Sequence, residues 1–385
     1  MMPRNYKNER IKRQYSDFLK HANGKAEQTI RQIEKAVQRY ELFTCHADFA
    51  SFNQQRARCF KEALAEKNLA KATILSTLTS LKRFFGWLAI QPGYKSKISL
   101  SEVEFLSLSE KDIRAAKSPA DRAIPTLEQV LYVVESMPAD TAIEERNRAL
   151  IAFIAITGIR DGAAVTLRLK HFDPVRNLII QNPNEVKTKF SKRICTFLLP
   201  VNDRLTSIFL DWVRHLKIDL LFGSDDPLFP KTAMALDEND CFEAKGLSRD
   251  FWANATPVRD IFKTAFQVAG LPYYSPHTFR HMLVQIAYHR RLPAQNLKAW
   301  SQNLGHESLL TTLTSYGTIA LEEQGRLISE GNLEDNDSEI MRDAVEIARM
   351  LRTRERREIG SVVSSGLHLR KRSDQIVIDD LPKAK

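Results

Sequence analysis

Three short stretches of the chain place cationic side chains where a helix begins or ends. In TGIRDGAAV, Arg160 follows a helix-stopping glycine, so its guanidinium projects from a turn rather than a packed helix face. In SPHTFRHMLV, Pro276 suits a first helical turn, and His277 and Arg280, three apart, share one face of that helix. Unpaired backbone N–H groups and two cationic side chains pointing the same way would make a site for a phosphate. His277 and His281, at i and i+4, also suit a zinc pair, but Thr278 stands where the zinc-protease motif needs glutamate. In WSQNLGHESLLTTLTSYG, His306 follows Gly305 at a helix-to-helix turn, and Tyr316 lies ten positions later. Taken singly, each has an ordinary explanation: a capping arginine, a structural histidine, a core tyrosine.

Apolar spacing outlines the elements that must carry these residues. In AEQTIRQIEKAVQRYELF, Ile30, Ile33, Val37 and Tyr40 recur at the period of an amphipathic helix. Ile74, Leu78, Leu81, Phe85 and Leu88 do the same, which leaves Lys71, Lys82 and Arg83 off the stripe and able to meet a phosphate backbone. A small helical bundle over residues 1–105 follows, then a polar linker over 106–125. Thr126 caps a helix starting LEQVLYVVESM, and RNRALIAFIAIT forms another that Gly158 stops. Strand signals fall in one zone, NLIIQNP and KRICTFLLP, which predicts a hairpin with Lys187, Lys189 and Lys192 at or near its turn. Residues 222–256 read as an irregular surface excursion.

Charge is segregated. The chain of 385 residues has a net charge of +10, while residues 1–100 hold 19 Lys/Arg and 8 Asp/Glu, or +11. The excess therefore sits in the first hundred residues, where it suits a polyanion such as DNA, although a solubilising surface would look the same. The four cysteines, Cys45, Cys59, Cys195 and Cys241, form no C-x-x-C pair, so buried free thiols are expected rather than disulfides or a zinc knuckle. No apolar run nears the roughly 18 residues needed to span a bilayer, and no secretory signal opens the chain, so no membrane partner and a cytoplasmic, nucleoid-associated location are expected.

In combination and in this order, TGIRDGAAVTLRLKHFD, the lysine-bearing hairpin, HTFRH, and LGHESLLTT followed by tyrosine resemble the tyrosine recombinases, the phage-integrase family. The resemblance is strong over 126–325 and looser over 25–95. It implies a mainly α fold with a small β-sheet (α+β): a helical core-binding domain at 1–105, a catalytic domain at 126–330, and a partly helical tail at 331–385. Breaking a phosphodiester without metal or cofactor needs a nucleophile, a charge clamp and an acid. The resemblance assigns Tyr316 as nucleophile, giving a 3′-phosphotyrosyl link, and Arg160 and Arg280 as the clamp. His306 would donate to the same phosphate, and His277 would act as general base. A hairpin lysine, Lys189 with Lys187 close behind, would be the general acid.

It further implies double-stranded DNA as partner and a homo-tetramer on paired sites. Docking of the tail stripe Ile340, Ala344, Ile347 and Leu351 on a neighbouring protomer, or packing on its own domain, are both open. The spacing from His306 to Tyr316 is one residue longer than the family's commonest. That keeps open an inactive DNA-binding protein of the same fold, beside a type IB topoisomerase-like activity.

Overall fold

The computed structural model describes residues 5–117, 123–188, 192–236, 240–290 and 292–305. Lys189, His306, Tyr316 and the tail from 331 onward lie outside the described residues. The chain divides into two units, 1–120 and 121–385.

The first unit is helical: α1 (Tyr6–Asp17), α2 (Glu27–Phe43), α3 (Gln54–Glu66), α4 (Lys71–Leu88), the short α5 (Leu100–Val103) and α6 (Glu110–Lys117). The apolar stripes become its core. Ile30, Ile33, Val37 and Tyr40 of α2 are buried, as are Leu78, Leu81, Phe84, Phe85 and Leu88 of α4. Phe52 stacks on Phe85 at 4.0 Å between ring centroids, and Tyr40 meets the same ring edge-on at 5.1 Å. Each such side chain contributes about 1.5–3 kcal/mol by leaving water. The segment expected as a linker carries α6, which Ser109 caps at Asp112 N and which packs against α4. Both lysines expected to face phosphate are already engaged: Lys82 bonds Glu104 and the Ser107 hydroxyl, and Lys71 lies 3.7 Å from Asp112. Arg83 is exposed.

The second unit begins with α7 (Leu127–Ser136), where Thr126 and Gln129 form a capping box, and α8 (Ala142–Thr157). Every residue from Ala149 to Thr157 is buried, so α8 is the central helix, with α7, α10 and α12 packed around it. A helix apolar on all sides belongs in a core. The one-turn α9 (Asp161–Ala164) leads to a three-stranded antiparallel sheet, β1 (Phe172–Asp173), β2 (Leu178–Gln181) and β3 (Ile194–Phe197), in that order. The expected hairpin is β2–β3, with Ile180 opposite Cys195 and Gln181 opposite Ile194. There follow α10 (Asp203–Ile218), β4 (Thr232–Leu236), β5 (Phe242–Leu247), α11 (Thr256–Val268), α12 (Pro276–His289) and α13 (Ala294–Asn303).

Two expectations need correction. Residues 222–256 are not irregular throughout, because β4 and β5 pair as an antiparallel hairpin. Neither strand buries a residue, so neither has the buried alternation that marks a strand in sequence. Arg146 anchors the hairpin's base: 3% exposed, it donates to the Pro230 carbonyl at 2.7 Å and the Thr232 hydroxyl at 3.1 Å, and lies over the Trp252 ring. The cysteines are free thiols but not buried. Cys45, Cys195 and Cys241 are exposed and Cys59 is intermediate, because they occupy a turn after α2, an outward position of β3, the β4–β5 turn and a half-exposed position on α3. Among the described residues no helix is long and apolar enough to cross a membrane.

Candidate active site

Gly158 ends α8 with φ of +62°, and its N–H donates to the Ile154 carbonyl at 2.9 Å. That left-handed turn is open to glycine and swings the chain sharply into Arg160. A Cβ at Gly158 would lie 2.6 Å from Leu304 Cδ2 and 3.0 Å from Leu283 Cδ1, so the turn after α8 sits tight against α12 and the end of α13.

Arg280 comes from the first turns of α12, as the Pro276 start predicts. It is 5% exposed, and its guanidinium donates to the carbonyls of Gly158 and Leu304. One rigid planar fork, with a separate nitrogen for each carbonyl, thus ties the end of α8 to the end of α13. Burial, with the like charge of Arg160 adding to it, pulls Arg280 down to about 9; burial also lowers Arg160. Arg160 and Arg280 line one small cavity with Gln181, Thr196, Asn303 and Leu304, and among the described residues no carboxylate lines it. Among the described residues neither guanidinium has a carboxylate partner. Two crowded cations that no described carboxylate neutralises favour an anion, since an unpaired buried charge is costly. The nearest acid in sequence, Asp161, is taken by Arg259 Nε at 2.8 Å.

His277 does not share Arg280's setting. It is exposed at the start of α12, and its ring meets His281 at 5.3 Å in a perpendicular arrangement. Among the described residues no group of three or more His, Cys, Asp or Glu side chains could hold a metal ion. Of the other tyrosines near HTFRH, Tyr274 is buried against Phe266 and Tyr273 is half exposed.

The hairpin loop is anchored close to its lysines. Glu185 accepts from Lys170 at 2.6 Å and bonds His171 Nε2 at 3.0 Å, which holds its carboxyl down at about 2. Lys187 N donates to Thr166 Oγ1 at 2.9 Å, while the Lys187 and Lys192 side chains are exposed. Residues 185–187 are therefore fixed to the segment that follows Arg160. The structure thus brings Arg160 and Arg280 together and leaves His277 at the rim of α12.

Sequence reasoning missed the groups that hold these parts in place: Glu185, and the buried polar set Gln181, Thr196 and Asn303. Their types, common on any surface, gave no signal.

A model of the phage integrase family matches residues 115–322, more than half of the chain. The chain belongs to this family of DNA strand-transferring enzymes. It is 23% identical over 317 residues to the "probable integrase/recombinase" of Aquifex aeolicus, covering 79% of this chain and 94% of that relative. Tyrosine recombinase XerC of Bifidobacterium longum is 27% identical over 215 residues, 54% of this chain and 55% of the relative. Among solved structures, the fold is similar to a lambda integrase(75-356) dimer bound to a COC′ core site, with a TM-score of 0.56, 14% identity, and 81% and 99% of the two chains covered. It is also similar to XerH recombinase bound to palindromic difH substrate, with a TM-score of 0.54, 17% identity, and 84% and 85% covered.

Proposed function

We propose that the protein is a site-specific tyrosine recombinase or integrase that cuts and rejoins double-stranded mobile-element DNA through a 3′-phosphotyrosyl intermediate. The observation that carries this reading is the pairing of Arg160 and Arg280 in one cavity that no carboxylate lines among the described residues, with Arg280 bonded to the Leu304 carbonyl two residues before His306. Their guanidinium groups would hold the non-bridging oxygens of the scissile phosphate, and His306 would add a hydrogen bond. Tyr316 would attack phosphorus as its proton passes to His277, and the 5′ oxygen would leave with a proton from Lys189 or its neighbour Lys187. The phosphotyrosyl ester keeps the bond energy, so a 5′-hydroxyl from a second duplex can reverse the step and join new partners.

Support for DNA as substrate comes from the +11 charge of residues 1–100 and from structural neighbours solved on DNA. Pairing two duplexes requires several copies, and we read the working form as a homo-tetramer on paired sites.

The test is covalent trapping. Wild type and Tyr316→Phe are incubated without metal on nicked duplexes drawn from the ends of the element that encodes the protein, then run on a denaturing gel. A shifted protein–DNA band that survives chelator and is lost in the variant is expected. Persistence of the band in the variant would assign the nucleophile elsewhere. Binding without any band would leave a DNA-binding protein of this fold.

A further inference from the structure

Residues 303–305 are held more firmly than a helix-ending turn requires. Asn303, 7% exposed at the end of α13, directs its side chain to β3. Its Oδ1 accepts from Phe197 N at 2.6 Å, its Nδ2 donates to the Phe197 carbonyl at 3.0 Å, and its own carbonyl accepts from Thr196 Oγ1 at 3.1 Å. Among the described residues β3 pairs with β2 alone, and the Asn303 amide pairs with its other edge as a strand residue would. Gln181 Nε2 donates to the same Thr196 hydroxyl at 3.0 Å, which extends the buried polar chain from β2 through β3 to α13.

The following residues run along the same strand. Gly305 has φ of +68°, and a Cβ there would lie 3.0 Å from Ile194 Cδ1. Between Asn303 and Gly305, the Leu304 carbonyl accepts from Arg280. His306 is the next residue in the sequence.

We infer that Asn303 is a positioning residue for the phosphate-binding Arg280, setting the register of the 303–305 turn against β3. This rests on the strand-transfer reading above. Only a side chain that both accepts and donates can grip the two backbone groups of Phe197. Alanine does neither, and an aspartate carboxylate only accepts.

The test uses full-length protein and compares DNA affinity with single-turnover trapping at saturating DNA. Two duplexes are used, one ordinary and one with sulfur in place of the bridging 5′ oxygen. A thiolate leaves without a proton, so sulfur relieves a misplaced general acid but not a misplaced phosphate clamp. Asn303→Ala is expected to slow trapping by about 10–100-fold while affinity changes by less than about threefold, a size typical of displaced positioning groups. Asn303→Asp should fall between, and the ratio to wild type should be the same on both duplexes.

A ratio returning to wild type on the sulfur duplex would assign Asn303 to the hairpin acid and overturn the inference. A defect confined to affinity, or one matched by a fall in the folded fraction, would do the same. Hydrogen exchange gives a readout free of DNA: the Phe197 and Gly305 amides should lose protection in Asn303→Ala while the β2 amides keep theirs. Unchanged protection overturns the clamp whatever the activity. If wild type traps no DNA, the strand-transfer reading fails, and the exchange result still decides whether Asn303 sets the turn.

Discussion

Gly158→Ala separates the cost of a left-handed backbone from the cost of close approach. Gly158 and Gly270 have nearly the same φ, +62° and +70°, but a Cβ at Gly270 would meet nothing within 4 Å, whereas one at Gly158 would meet Leu304 and Leu283. Alanine at Gly270 should therefore cost only the backbone strain, about 1–2 kcal/mol. At Gly158 the same strain is joined by overpacking of about 1–3 kcal/mol, because the Leu304 side chain, 2% exposed, must shift inside a closed core. The total is about 2–5 kcal/mol. Urea unfolding followed by tryptophan fluorescence suits the comparison, since Trp212, Trp252 and Trp300 all report on the second unit. The Gly158 carbonyl and Leu304 are also what orient Arg280, so covalent trapping should fall in Gly158→Ala and not in Gly270→Ala. Equal destabilisation by the two substitutions would refute the close-approach argument, because strain alone would then account for both.

Two further perturbations probe the charges. Arg280→Lys keeps a cation but loses the planar fork whose two nitrogens reach the Gly158 and Leu304 carbonyls, so single-turnover cleavage should drop by about 10²–10³ with DNA affinity reduced by less than about tenfold; cleavage close to wild type would remove Arg280 from the clamp. Glu185, held at about 2 by its hydrogen bonds to Lys170 and then His171, stays ionised in the folded chain at pH values where the unfolded carboxyl is protonated. Its contribution is thus complete above the ordinary value of 4.5 and is lost as pH falls towards 2. Acid titration of stability should show a shallower slope across that window in Glu185→Gln, and identical slopes would show that the pair contributes nothing in solution.

What the sequence disclosed, and what it hid, follows from how far apart the interacting groups lie. Stops and starts are local: the glycine after α8, the proline opening α12 and the threonine capping α7 act within one turn, and each is where residue type places it. The stripes of α2 and α4 are equally local. Periodicity fails where an element is exposed on both faces, which is why the β4–β5 hairpin read as a loop, and it says nothing about which partner a charged side chain finds. Lys82, off the apolar stripe of α4, looked available to phosphate, yet Glu104 and Ser107 take it from 22 and 25 residues away.

The same limit shaped the site. His277 and Arg280 share a helical face by spacing, but the fold turns one outward and buries the other against carbonyls 122 and 24 residues distant. Asn303 is the extreme case. Before Leu-Gly at a helix end it is indistinguishable from an ordinary terminal asparagine, and its partner Phe197 lies 106 residues earlier. Residue types therefore disclosed which groups could do the chemistry, while the groups that hold them in place become visible only when the chain has closed on itself.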